Sequence, residues 1–500
     1  MFIDALESEL NKSYTENGAL GLKTTKSELV DFNFKIASYR NKSDNEILCD
    51  FRKVWGENKE LALKYLFFAR DVRQGLGERR LFRVCLKEIY KELDDRMFDW
   101  IMEFGRADDF IELLDTDAHD RVINFIKTQL TKDMANSLLS NEENRNSVSL
   151  LAKWLPSVNT SSKKTRAYAK DICKSLNMSQ RNYRKVLSQL RKYLDIVEKK
   201  MCAQKYSEID YNTVPSQANL KYKDAFLKHD EQRRKEYLKS LEKGEAKINS
   251  SVVFPHDIVT RYCYDYKITT KDVVLEEMWK GLPNYVNGSA NTLVVRDGSG
   301  SMTCTVSGNT KAIDVATALS IYFSERCEGQ FKDKFITFSS NPEFVDLHNL
   351  SNLHDKLQEC YRYNDISNTD IEKTFDLVLN VAVKNKLKQE EIPNLLIISD
   401  MEFDRATTTY WDNKRTKTLF ETIAAKFNRY GYVLPKLIFW NVNSRTNTIP
   451  LAQNDLGVIL VSGFSPAITK MVLSEETSPY KAIVKELMSD RYKEVTLQNS

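Results

Sequence analysis

The sequence contains few of the residues that interrupt or cross-link a fold. Only 16 Gly and 10 Pro occur among 500 residues, which argues against long flexible linkers. None of the eight cysteines belongs to a CxxC pair and the five histidines are scattered, so the usual zinc-site spacings are missing. The N-terminus lacks the basic start and apolar run of a signal peptide. We therefore expect reduced thiols and a cytoplasmic protein.

Long hydrophobic runs are also missing. No stretch approaches the roughly 18 uninterrupted apolar residues that a membrane-spanning helix needs, so we expect no membrane partner. Hydrophobic residues make up 42% of the chain and charged residues 29%, which is typical of a folded globular protein. The length predicts roughly two to four domains.

Charge is present but unevenly distributed. The whole chain carries +4, whereas residues 161–250 hold 22 Lys and Arg against 11 Asp and Glu, a surplus of +11. Such a surplus is compatible with a surface that binds an anionic partner, and nucleic acid is the obvious candidate. Charge alone slightly favours the alternative, a set of solvated helix faces.

The first part of the chain has the apolar spacing of helices. Helices are predicted over 60–70 and 79–93 with a Gly-containing turn between them, and a similar pattern follows residue 104. Consecutive helical hairpins without strands predict an α-helical solenoid of HEAT-like repeats over residues 1–285, although no fixed repeat length is visible.

The pattern changes beyond residue 285. Helices are predicted at about 311–327, 371–386 and 417–430, and short apolar strands alternate with them. This alternation predicts a doubly wound, Rossmann-like α/β domain over residues 286–500, with ligands at the carboxyl ends of its strands. The predicted strands are 293–295, 334–338, 343–347, 395–398, 436–440 and 458–461.

Oxygen-bearing side chains follow two of these strands. Asp297, Ser299 and Ser301 come directly after the first strand, Asp400 follows the strand at 395–398, and Thr369 lies in a polar loop before a helix. Carboxylates and hydroxyls are hard donors that suit Mg²⁺, or Mn²⁺ or Ca²⁺. The alternatives are a capped turn for Asp297 to Ser301 and a helix N-cap for Thr369.

The Asp-x-Ser-x-Ser motif, the later Thr and the later strand-end Asp resemble the metal-ion-dependent adhesion site of von Willebrand factor A (vWA) domains. The resemblance covers roughly residues 290–475, and all five positions are filled. It implies a bound divalent metal with one open position that a carboxylate of a protein partner completes. It therefore also implies binding without catalysis, and we expect no enzyme activity.

Helical repeats followed by a vWA domain are similar to the Ro (TROVE) family. The resemblance is firmer to an uncharacterised group of relatives in bacteria, phages, viruses, plants and fungi. It implies RNA binding by a ring of HEAT-like repeats that the vWA domain closes. No individual RNA-contact residue is carried over. The matching stretches include ARDVRQGLGERR at 69–80, FGRADD at 104–109, LAKWLP at 151–156 and FWNVNS at 439–444.

Candidate RNA-binding residues come from the basic segment. A helix is predicted from about 178 to 201 with Ser179 as its N-cap, and cations lie largely off its apolar stripe. For each cation taken singly, solvated surface is the favoured interpretation. The candidates are Lys163, Lys164, Arg166, Lys170, Arg181, Arg184, Lys185, Arg191 and Lys192.

Three hypotheses follow. The leading one is a non-catalytic ribonucleoprotein component that binds RNA through its helical part and docks a partner, or closes the ring, through the metal. The second is a protein-interaction scaffold that binds no RNA. The third, a metal-dependent hydrolase or nuclease, is the least favoured because no His, Lys or Cys stands at the right place in the sequence to act as a base.

Overall fold

The computed structural model describes residues 2–139, 148–264, 267–286, 291–338, 341–364, 370–405 and 418–497. The chain forms two compact units. The first, here called the α/β unit, comprises residues 1–62 and 250–491; the second, the helical unit, comprises residues 63–249 and 492–500. Among the described residues, no helix combines the length and apolar character that a bilayer crossing requires.

Helices dominate the chain up to residue 249. The elements there are α1 (Phe2–Leu10), β1 (Lys12–Tyr14), β2 (Leu20–Leu22), α2 (Glu28–Phe34), α3 (Asp44–Glu57), α4 (Lys59–Arg70), α5 (Arg79–Ile89), α6 (Arg96–Phe104), α7 (Ala107–Ile111), α8 (His119–Leu139), α9 (Leu151–Trp154), α10 (Lys163–Ser175), α11 (Gln180–Tyr193), α12 (Val197–Cys202), α13 (Ser216–His229) and α14 (Glu231–Glu242).

Strands and helices alternate from residue 250 onward. The elements there are α15 (Pro255–Tyr262), β3 (Cys263–Tyr264), β4 (Lys267–Ile268), α16 (Val273–Lys280), β5 (Thr292–Asp297), β6 (Thr305–Ser307), β7 (Thr310–Lys311), α17 (Ala312–Arg326), β8 (Lys334–Phe338), β9 (Phe344–Asp346), α18 (Leu353–Arg362), α19 (Ile371–Asn385), β10 (Asn394–Ser399), α20 (Leu419–Arg429), β11 (Leu437–Asn441), β12 (Val458–Ser462), α21 (Thr469–Val472) and α22 (Pro479–Leu487).

The core of the α/β unit is a six-stranded sheet in the order β12-β11-β10-β5-β8-β9. Neighbouring strands from β12 to β8 run parallel, and β9 pairs antiparallel with β8 at one edge. Every residue of β5, β11 and β12 is buried, as expected for strands covered on both faces. All six predicted strands and the three predicted helices are confirmed, with bounds that shift by a few residues.

The strand order reverses beside β5. The chain passes from β5 to β8 on one side and then returns to β10 on the other. In open α/β sheets this switch point leaves a crevice at the carboxyl ends of the two central strands. Asp297 ends β5 and Asp400 follows β10, so both lie at this crevice.

Residues 1–62 belong to the α/β unit because polar side chains join them to the strand ends. The Asn33 amide donates to the Leu460 carbonyl (3.0 Å), and the Asn441 amide donates to the Phe34 carbonyl (2.7 Å). The short antiparallel hairpin β1-β2 continues this association, since Leu22 bridges to Ile449. The compact units therefore differ from the sequence-based division at residue 285, since apolar periodicity does not reveal such long-range hydrogen bonds.

The helical unit has its own buried core. Phe67 contacts Phe82, Trp100 and Phe104 with ring centroids 5.3–5.8 Å apart. The Lys64 ammonium donates to the carbonyls of Tyr492 and Val495, each at 2.9 Å, so the end of the chain joins this unit. The arrangement of its helices as a HEAT-like solenoid stays a prediction.

One predicted helix is wrong in its length. The helix expected over about 178–201 begins as predicted, with Ser179 capping the Asn182 amide, but it ends at Tyr193. Asp195 adopts a left-handed φ of 49°, and the chain starts again as α12 at Val197. Asp tolerates this conformation better than most residues, and a single left-handed residue stops a helix.

Candidate functional sites

Two aspartates meet at the carboxyl ends of β5 and β10. The two strands pair in parallel, with Ile398 opposite Arg296, so the strands end side by side. Asp297 and Asp400 both have 0% exposed surface. Ionised carboxylates without compensating charges are costly to bury, so this pair marks the crevice as chemically unusual.

Short loops bring serine oxygens to the same place. The Asp297 carboxylate accepts the Ser299 amide (2.9 Å) and the Ser399 hydroxyl (2.6 Å). The Ser299 and Ser301 hydroxyls lie 3.0 Å apart. Gly298, between Asp297 and Ser299, lies close to the neighbouring backbone, since a Cβ there would lie 3.0 Å from the Tyr363 carbonyl oxygen. The structure thus brings together four of the five predicted metal ligands.

Asp400 has a basic neighbour that the sequence did not reveal. Its carboxylate accepts the Glu402 amide (3.2 Å) and contacts the Arg445 guanidinium (3.1 Å). The Glu402 carboxylate is itself buried and accepts the backbone amides of Arg445 (2.7 Å), Thr446 (2.9 Å) and Glu16 (2.8 Å). Glu402 therefore organises the loops around the crevice. Its position two residues after Asp400 was the only sequence signal for it.

The electrostatics of the crevice favour a cation. Burial, reinforced by the negative charge of Asp400, raises the pKa of Asp297 to about 7. Burial also raises the pKa of Asp400, against the opposing effect of Arg445. Arg445 contacts Asp400 and also pairs with Glu16, and in the described ranges no ion pair reaches Asp297. The other oxygen donors are hydroxyls. This donor set fits a hard divalent cation such as Mg²⁺.

Not every predicted ligand can be placed. Thr369 lies outside the described residues. In the ranges that the structure covers, no group of three or more His, Cys, Asp or Glu side chains is arranged to hold a metal. The crevice is a different kind of candidate, because two carboxylates and two hydroxyls make up its donors. Arg445 was missed because it lies 45 residues beyond Asp400, and the sequence does not show that the two side chains meet.

The predicted RNA-binding cations lie on α10 and α11 of the helical unit. Eight of the nine are exposed, and we call them the basic surface: Lys163, Lys164, Arg166, Lys170, Arg181, Arg184, Lys185 and Lys192. Arg191 is different, since its guanidinium donates to the carbonyls of Ala152 (2.8 Å) and Leu155 (2.7 Å) and to the Ser157 hydroxyl (2.8 Å). Arg191 thus holds the 152–157 segment against α11, and we leave it out of the basic surface.

Comparison with known proteins gives partial matches of unknown function. Residues 101–296 match a family model described as a domain of unknown function (DUF2828), and residues 291–498 match another (DUF7788). An uncharacterized protein of Acanthamoeba polyphaga mimivirus is 29% identical over 514 residues, which cover 95% of this chain and 87% of the viral protein. The expectation of an uncharacterised viral relative agrees with this match.

One solved structure is similar over most of its length. The crystal structure of Deinococcus radiodurans RO (RSR) protein covers 91% of this chain and 94% of its own, at 14% identity and a TM-score of 0.37. A score of this size carries no argument about the fold. The resemblance to the Ro family and the vWA assignment therefore stay predictions that rest on motifs.

Proposed function

We propose that the α/β unit binds one divalent cation through Asp297, Ser299, Ser301 and Asp400, with Thr369 as the fifth ligand that the vWA resemblance implies. The observation that carries the proposal is the pair of fully buried carboxylates at the switch point, beside two hydroxyls. Only Asp400 of the pair contacts a guanidinium in the described ranges, that of Arg445. A divalent cation supplies the positive charge that Arg445 alone does not.

The cation serves binding rather than catalysis in this proposal. When bound, it neutralises Asp297 and Asp400 and offers a coordination position to an oxygen of a protein partner. The vWA resemblance implies that this oxygen belongs to a carboxylate. Asp297 and Asp400 hold the charge, whereas Ser299 and Ser301 add neutral oxygens that leave the cation able to attract an anionic ligand.

Equilibrium dialysis of the full chain against Mn²⁺ tests the site. We expect the chain to bind one Mn²⁺ ion that Mg²⁺ displaces. Asp297→Asn should abolish this binding, and Ser301→Ala should weaken it. Glu390→Gln is the control, because Glu390 is exposed and precedes β10 at the opposite end of the strand. Equal Mn²⁺ binding by the Asp297 variant and by the control would refute the proposal.

We further propose that the basic surface binds RNA. Seven of its eight cations form no ion pair with any residue in the described ranges, and the eighth, Lys164, lies 3.7 Å from Asp115. Cations that the protein leaves uncompensated on two successive helices are available to phosphates. A protein-interaction scaffold that binds no RNA would not need these uncompensated cations. The experiment below distinguishes that hypothesis from RNA binding.

A filter-binding titration with single-stranded RNA at increasing salt tests this second proposal. We expect the affinity to fall with salt, with a logarithmic slope of about −0.7 per neutralised phosphate. Asp297→Asn should leave the slope unchanged, because it lies in the other unit. Absence of binding at low salt would leave the scaffold hypothesis in place.

A further inference from the structure

A large open cavity lies within the helical unit, beside the basic surface. Its volume is about 810 Å³, within the range of roughly 300–1,000 Å³ typical of small-molecule sites. The end of α9 and the segment after it, the helices α10, α11 and α12, and the start of α13 line it. Arg184 belongs both to the lining and to the basic surface, so the two are continuous.

One part of the lining is apolar and aromatic. Trp154, Leu155, Pro156, Leu187 and Ile196 contribute it. Trp154 is half-buried, and its indole N–H donates to no residue in the described ranges. The guanidinium of Arg106 lies 3.9 Å from the centre of the Trp154 ring, which fixes the orientation of the ring. A flat aromatic group is the natural ligand of such a surface.

The rest of the lining is strongly cationic. Lys153, Arg184, Arg191 and Lys199 line the cavity, against one carboxylate, Glu198. Burial and the neighbouring charges of Lys192 and Arg191 lower the pKa of Lys199, and its ammonium donates to the Ser188 carbonyl (2.8 Å). An anion in the cavity would offset the repulsion among these cations. In addition, the N-terminus of the 14-residue helix α13 borders the cavity without a capping side chain, and this end of a helix dipole favours anions.

We propose that this cavity binds one nucleotide, with its base against the Trp154 surface and its phosphate at Arg184 and Lys199. The nucleotide belongs either to an RNA strand or to a free nucleotide. In the first case the inference rests on the proposed RNA binding. Arg191 acts as a positioning residue, because its bonds to the 152–157 segment hold Trp154 in place beside α11.

Calorimetric titrations of the full chain with AMP, with a short oligoadenylate RNA and with inorganic pyrophosphate test the proposal. The matched variants are Arg184→Gln and Arg181→Gln. Both arginines are exposed on α11, but only Arg184 lines the cavity. We expect Arg184→Gln and Trp154→Ala to weaken AMP binding about tenfold each, and Arg181→Gln to change it less than twofold.

The outcomes separate the cavity from the basic surface. If the protein binds both AMP and RNA, and Arg184→Gln weakens both, the ligand is a nucleotide of an RNA strand. If Arg184→Gln weakens AMP binding and the protein binds no RNA, the ligand is a free nucleotide and the RNA function is refuted. RNA binding that Arg181→Gln and Arg184→Gln weaken equally overturns the cavity site while the RNA function stands. Pyrophosphate binding as tight as AMP binding, or absence of all binding, also overturns it.

Thiol labelling gives a second test that needs no variant. Cys202 is exposed and lines the cavity, whereas Cys49 is equally exposed in the α/β unit. Saturating AMP or oligoadenylate should slow alkylation of Cys202 several-fold and leave Cys49 unchanged. Equal rates at Cys202 with and without either ligand would contradict the proposal.

Discussion

Buried aspartates occur in both units of the chain, and their surroundings differ. In the helical unit, Asp109 is 1% exposed and accepts two arginines, Arg70 and Arg83, each at 2.7 Å. In the α/β unit, Asp297 and Asp400 are equally buried, but among the described residues only Asp400 contacts an arginine, Arg445, which also pairs with Glu16. Burial of a carboxylate is therefore not by itself a sign of function. The unmatched negative charge distinguishes the candidate metal site from an internal ion pair.

The largest effect should come from breaking the matched cluster. Asp109→Asn leaves the buried Arg70 without its carboxylate partner, whereas Arg83 keeps Asp108 and Glu112. We expect the free energy of unfolding of the helical unit to fall by about 3–5 kcal/mol, measured by hydrogen exchange of peptides from residues 63–249. The partly exposed pair of Asp94 and Arg96 provides the control, and Asp94→Asn should cost at most about 1 kcal/mol. Similar losses in both variants would refute the distinction.

Two arginines of α11 offer the next comparison. Arg191→Gln removes the donors to the carbonyls of Ala152 and Leu155, and we expect it to cost roughly 2–3 kcal/mol. Arg184→Gln should change the stability by less than about 0.5 kcal/mol, because Arg184 is exposed. Urea unfolding followed by circular dichroism measures both. If both variants are equally stable, Arg191 is a surface cation like Arg184 and should be counted as part of the basic surface.

Asp297→Asn should raise the free energy of unfolding of its unit, whereas Asp109→Asn should lower that of its own. In metal-free buffer above pH 7, where Asp297 with its pKa of about 7 is mostly ionised, the substitution removes a buried negative charge beside Asp400. We therefore expect the α/β unit to become more stable by about 1–2 kcal/mol. Hydrogen exchange of peptides that contain β5 and β10 reports the change. A loss of several kcal/mol would mean that Asp297 is a structural partner like Asp109.

Substitutions on the basic surface should affect binding and leave stability unchanged. Replacing Lys163, Arg166 and Lys170 together by Gln removes three exposed cations of α10. We expect the slope of the logarithm of RNA affinity against the logarithm of salt concentration to become shallower by about 2. The free energy of unfolding should change by no more than about 0.5 kcal/mol. An unchanged slope would place the RNA contacts elsewhere.

The sheet and the centre of the crevice could be predicted from the sequence because both depend on local patterns. Apolar runs define β5 and β10, and Asp297 to Ser301 and Asp400 follow them directly. The roles of Arg445 and Ser399 were missed, since they arise only when the strands pair, and Glu402 was noted only as a negative charge near the site or a solvated loop residue. Arg191 was also treated like Arg184, because the sequence of a helix does not show which of its polar residues faces the 152–157 segment.

The most direct test of the account is the effect of Mg²⁺ on unfolding of the α/β unit. Binding to the folded chain alone stabilises it by about 2.7 kcal/mol at a Mg²⁺ concentration of about a hundred times the dissociation constant. We predict this gain in the wild-type protein, no gain in Asp297→Asn or Asp400→Asn, and an undiminished gain in Asp109→Asn. Wild-type protein whose stability does not respond to saturating Mg²⁺, Mn²⁺ or Ca²⁺ would contradict the central claim that Asp297 and Asp400 hold a cation.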